Sequence, residues 1–66
     1  MQTWTAGQIG RSGGAYSGRR VLFALAGEAI EGILTRSDHT TDGSGAELQV
    51  DGKWYSVPAA VPVEVY

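Results

Sequence analysis

The 66-residue chain contains no cysteine, one histidine and one methionine. Disulfides are thereby excluded, and so is a zinc site built from thiolates and imidazoles. No run approaches the roughly 20 apolar residues that a membrane-spanning helix needs. The start, Met1-Gln2-Thr3-Trp4, lacks the basic residues and apolar stretch of a signal peptide, so the simplest expectation is a cytoplasmic protein without membrane contact. Lacking disulfide and metal, so small a domain has a marginal core. A closed, well-packed β-barrel, burial of one face against another copy, or both are expected to supply the missing stability.

What the chain does contain is a globular composition, 42% hydrophobic and 18% charged. Its net charge of −2 argues against indiscriminate binding to phosphate backbones. The charge is unevenly spread: Arg11, Arg19 and Arg20 precede every acidic residue, whereas residues 28–66 hold all seven acids against Arg36 and Lys53. Such asymmetry suits head-to-tail contact between copies or one localised anionic contact, and ordinary solvated charges explain it as well.

The clearest local signals lie in the last third. Leu48 and Val50 alternate with Glu47 and Gln49, Asp51-Gly52 is a two-residue turn that readily takes positive φ, and Val61, Val63 and Val65 alternate with Pro62 and Glu64. Near the N-terminus Thr3-Trp4-Thr5 is β-prone. Gly7, Gly10, Gly13, Gly14 and Gly18 then predict a loop over residues 7–18 with no helix in it. Residues 37–45, polar and glycine-rich, read as a second loop.

Between these loops, residues 20–36 fit two periods. As a helix, Val21, Leu22, Leu25, Ala29, Ile33 and Leu34 share one face. As two strands, Val21, Phe23 and Leu25 alternate with Leu22 and Ala24, and Gly27-Glu28 makes the turn. Two interior glycines, costing a helix about 1 kcal/mol each, and β-rich neighbours favour the strands. The expected fold is therefore all-β, a small barrel of five to six short strands near residues 2–6, 20–26, 29–36, 46–50, 53–57 and 61–65; the alternative is α+β with a helix at 20–36.

That strand order, with the short corner Val57-Pro58-Ala59-Ala60 before a closing strand, resembles the SH3-like small barrel, which places a single turn at this point. Gly27, Gly32, Leu34 and Asp38 also resemble the first motif of Sm-like proteins. The resemblance implies that the first glycine closes a turn, the second lets a strongly bent strand pass close to its neighbour, and the aspartate ends that strand. Small virus-encoded proteins, including head-tail joining components built on such barrels, are similar in size and in the Asp51-Gly52-Lys53-Trp54-Tyr55 hairpin.

No catalytic or metal constellation stands out, and neither an enzyme nor a cofactor is expected. Asp38, Asp42 and Gly43 have the spacing of part of a calcium-binding EF-hand loop, but the third position is Thr40, the twelfth is Gln49, and flanking helices are absent. Asp38 and His39, adjacent on an extended segment, point apart, and no serine sits in a strand-to-helix elbow. Gly7-Gln8-Ile9-Gly10 matches only the bare Gly-X-X-Gly of KH domains, and Gly13-Gly14 near Arg11 could form an anion-binding nest. Type II dihydrofolate reductases make small barrels catalytic by enclosing a pore in a tetramer, but their Val-Gln-Ile-Tyr stretch has no equivalent here.

Aromatic placement carries the functional expectation. On a strand over residues 53–57, Trp54 and Tyr55 face opposite sides; Tyr55 and Val57 are expected inward and Trp54 outward, where an exposed indole anchors an interface. Packing of Trp54 under the glycine-rich loop of its own chain is the alternative. The leading expectation is a non-enzymatic binding or assembly module in which Trp54, Tyr16, Arg11, Arg19 and Arg20 meet a protein partner or another copy. Nucleic-acid binding through the three arginines and Tyr16 is less favoured, since three charges supply little affinity at physiological salt.

Overall fold

The computed structural model describes all 66 residues. It is mostly β, with strands β1 (Gln2–Thr5), β2 (Arg20–Leu25), β3 (Glu28–His39), β4 (Gly45–Val50), β5 (Lys53–Pro58) and β6 (Pro62–Val65), and one short helix, α1 (Ala6–Gly10). All neighbouring strands are antiparallel in a single sheet of order β1-β6-β2-β3-β4-β5. No helix is long and apolar enough to cross a membrane.

Residues 20–36 form strands. The β2–β3 hairpin turns at Ala26-Gly27, where φ is 51° and 79°, one residue earlier than Gly27-Glu28. Asp51-Gly52 behaves as its sequence predicts, with φ of 51° and 82°, and joins β4 to β5. Both pairs have the doubly positive φ of the hairpin turn whose twist matches that of its strands.

β3 is longer than its pattern predicted, and Ser37, Asp38 and His39, expected in a loop, pair with Leu48, Glu47 and Ala46 of β4. Twelve residues of straight strand would reach about 40 Å, but the molecule measures only 27 × 26 × 22 Å. β3 therefore bends, its first half paired to β2 and its second to β4, with a bulge between Leu34 and Arg36. Gly32 permits the close passage there: a Cβ on it would collide with the Asp51 side chain and lie 2.8 Å from Val50 Cγ1. Asp51 secures the contact, its N–H donating to the Ile33 carbonyl and its Oδ1 accepting from the Ile33 N–H, both at 2.9 Å.

Two expectations fail at the opposite edge. The sheet does not close into a barrel, because β1 and β5 do not pair. Between them lies α1, in a segment whose glycines argued for an irregular loop. Thr5 caps the helix: its Oγ1 accepts from the Gln8 N–H at 3.2 Å, while Gln8 Oε1 accepts from the Thr5 N–H at 2.9 Å. This reciprocal pair is the Thr-x-x-Gln capping box, a helix-start signal that an argument from the glycines alone does not include. Ala6, expected to end the first strand, is instead the first helical residue.

The glycines of α1 serve contact. Gly7 and Gly10 are buried, and a Cβ on Gly10 would stand 2.6 Å from the Asp38 carbonyl oxygen and 2.9 Å from Ala46 Cβ. The helix thus lies directly on β3 and β4. Its first N–H groups are used as well: Ala6 donates to Val61 O at 2.8 Å and Gly7 to Ala59 O at 3.0 Å. Those carbonyls belong to the short corner after β5, where the Val61 N–H closes a single turn on Pro58 O at 3.1 Å.

The core gathers side chains from both halves of the bent sheet and from the helix. Val21, Phe23, Val63 and Val65 meet Leu48, Val50 and Val57, with Leu34 at the bend and Ile9 entering from α1. Phe23 meets Tyr55 edge-on, with ring centroids 6.1 Å apart, joining the two halves across the interior.

Gly10→Ala should destabilise the fold by about 1–3 kcal/mol in urea unfolding, because the obstructing atom is backbone. Thr5→Ala should cost about 1 kcal/mol through loss of the cap. Unchanged midpoints in both variants would mean that α1 does not dock as described.

Candidate functional site

The register of the β4–β5 hairpin decides which way Trp54 faces. The Asp51-Gly52 turn sets Val50 opposite Lys53 and Gln49 opposite Trp54. Val50 is buried, so Gln49 and Trp54 point outward by strict alternation. Trp54 is 49% exposed, whereas Val57 is buried and Tyr55 packs on the core, in agreement with the expected facing.

Trp54 is one wall of an open groove of about 280 Å³. Gly13, Gly14 and Ser17 of the glycine-rich segment form the facing wall, and Thr35 to Asp38 of β3 form its floor. The segment is held beside β3 by two backbone bonds, Gly18 N–H to Leu34 O at 2.7 Å and Leu34 N–H to Arg19 O at 2.9 Å. At the bulge, the Thr35 hydroxyl donates towards Gln49, with O at 3.0 Å and Oε1 at 2.8 Å, and steadies the residue paired with Trp54. Arg36 completes the cross-strand row Arg36–Gln49–Trp54 and makes no ion pair. Ser37 is paired with the core residue Leu48, and its Oγ is buried without a hydrogen-bond partner.

The glycine-rich segment and the outer side of β5 thus meet at one groove, but the remaining residues singled out in the sequence lie elsewhere. Tyr16 packs against Trp4, with ring centroids 5.7 Å apart and the planes tilted by 41°, and against the core. Arg11 reaches the other loop, where its Nη2 donates to Gly43 O at 3.5 Å. Arg19 Nε donates to the Tyr66 carbonyl at 2.5 Å. Arg20 lies 4.7 Å above the Tyr66 ring and 3.7 Å from Glu31. The arginines therefore do not form one basic stripe; their interactions divide between two regions of the molecule.

A second surface went unnoticed in the sequence. On the outer side of β6, β2 and the start of β3 lies an open groove of about 390 Å³, lined by Thr3, Leu22, Ala24, Ala29, Pro62 and Glu64. The signal was the β2 run Val21-Leu22-Phe23-Ala24-Leu25, which is apolar on both faces. Val21 and Phe23 fill the core, so Leu22 and Ala24 are left outside.

The loop between β3 and β4 is organised by Asp42. Its Oδ1 accepts from the Ser44 N–H at 3.0 Å and from the Thr40 and Ser44 hydroxyls, both at 2.8 Å. These bonds, the Ser44 N–H foremost, hold the carboxyl down at about 2 from its ordinary 3.8. His39 Nδ1 lies 3.3 Å from Asp38 Oδ1 at the entrance to this loop.

No protein family, curated protein or solved structure matches the chain.

Because the folded Asp42 value lies below the unfolded one, the stabilisation of this loop is present above pH 3.8 and is lost as the pH falls through about 2. A carboxyl-detected NMR titration should place the Asp42 midpoint near the lower value, and Asp42→Asn should abolish the matching shift changes at Gly43 and Ser44. A midpoint close to 4 would contradict this loop geometry.

Proposed function

We propose that this chain is a non-enzymatic binding or assembly module that engages a protein partner or another copy through the groove walled by Trp54. The observation that carries the reading is the half-exposed indole, set by the hairpin register on the outer side of β5 and facing a wall of Gly13, Gly14 and Ser17 that leaves it half uncovered. Large, stiff aromatic groups of this kind supply interface anchors at low entropic cost. Arg36, without an ionic partner in its own chain, stands ready beside it for an acidic or carbonyl group.

On this reading the protein works in the cytoplasm as a small adaptor, inhibitor or structural subunit of the sort that viruses encode. Its bent β3 and single-turn corner support kinship with SH3-like and Sm-like small barrels, modified by a helix between the end strands. The dispersal of Arg11, Arg19 and Arg20 favours protein over nucleic acid as the partner.

Trp54→Ala should weaken the complex by about 2 kcal/mol or more while leaving the fold intact. The check is affinity capture and sizing of wild-type and variant chains side by side, with circular dichroism to verify folding. Equal capture by a folded variant would remove Trp54 from the binding surface, and an unfolded variant would assign it to the core.

A further inference from the structure

Resting on that reading, we infer that the partner of the Trp54 face is the second, apolar groove of another copy, so that the chain associates head to tail. The two outer faces point away from each other, because the two halves of the bent sheet turn their inner faces onto one core. One face projects an indole; the other presents an apolar recess of about 390 Å³, roomy enough for it, floored by Ala24 and Ala29. Two recesses set against each other would leave a void.

Charge and spacing agree with this docking. Glu64 lines the recess and has no ionic partner, whereas Glu31 is already paired with Arg20. On the opposite face Arg36 is equally free. Trp54 and Arg36 are separated by the single strand β4, and Ala29 and Glu64 by the single strand β2. Trp54 and Arg36 stand in one row through Gln49, about 10 Å apart, whereas Ala29 pairs with Ala24 and Glu64 with Leu22, an offset of two residues that makes their separation about 12 Å on the diagonal. An indole seated over Ala29 brings the Arg36 guanidinium within side-chain reach of Glu64. Asp38 and Glu47 share the Trp54 face, so the ionic attraction is confined to that one pair. Because the two surfaces differ, association is heterologous and continues past a dimer, into a ring or an open chain.

Complementation between two defective variants tests this directly by sedimentation. Trp54→Ala lacks the plug but keeps the recess; Ala24→Arg fills the recess but keeps the plug. The wild type should grow beyond a dimer with rising concentration, and each variant alone should self-associate at least about thirtyfold more weakly. An equimolar mixture should recover a 1:1 heterodimer that goes no further. If Ala24→Arg fails to fold, Glu64→Arg takes its place, and its defect should be repaired by mixing with Arg36→Glu. Variants that stay monomeric on mixing would overturn the head-to-tail arrangement. So would an Ala24→Arg chain that assembles normally, or a wild type that is monomeric at millimolar concentration. In that last case the binding-module reading stands if wild type still captures a foreign protein that Trp54→Ala loses, and falls if neither does.

Discussion

The contact on which the rest of the structure depends is the approach of α1 to β3 and β4, made possible where Gly10 meets the Asp38 carbonyl and Ala46. A sheet whose end strands do not pair leaves its interior open on one side. The five-residue helix fills that opening with Ala6 and Ile9, both fully buried, and ties itself to the corner after β5 through two backbone bonds. A helix so short has no stability of its own; packing and its cap hold it. Its position also sends the following glycine-rich segment alongside β3, so the wall facing Trp54 exists because the helix is docked.

The β4–β5 hairpin, the corner and the last strand were readable because local chemistry and periodicity agreed there. Asp51-Gly52 set the turn, the valines of β6 marked the inward side, and the outward direction of Trp54 followed from alternation alone. For residues 20–36 local evidence was divided, and the β-rich context decided correctly. The errors share one physical origin, which is that glycine has two uses. At Gly52 it supplies positive φ as expected, and at Gly27 it does so in a turn that falls at Ala26-Gly27, one residue before the expected place. At Gly7 and Gly10 it removes a side chain so that a helix can touch a sheet, and a composition argument sees only flexibility. The Thr5 and Gln8 capping box was the signal that could have corrected the reading.

The groove was legible in part for the same reason. The outward facing of Trp54 followed from strand alternation, and its nearness to the glycine-rich segment is the packing that stood as the alternative. Tyr16 and the arginines could not be placed, because their positions depend on contacts distant in sequence: Tyr16 on Trp4, Arg19 and Arg20 around Tyr66. The outer recess was hidden by ambiguity at β2, where a strand apolar on both faces gives no alternation to show which side is left uncovered. Two unlike surfaces on opposite sides make the molecule polar in the geometric sense, which is what directional assembly requires.

Amide hydrogen exchange tests the docked helix most directly. The Ala6 and Gly7 amides, bonded to Val61 and Ala59 rather than within the helix, should exchange as slowly as the central amides of β2 and β6, opening only with global unfolding. If they exchange as fast as residues 12–17 while β2 and β6 stay protected, the helix is not what closes the sheet, and the account of the fold fails at its first step.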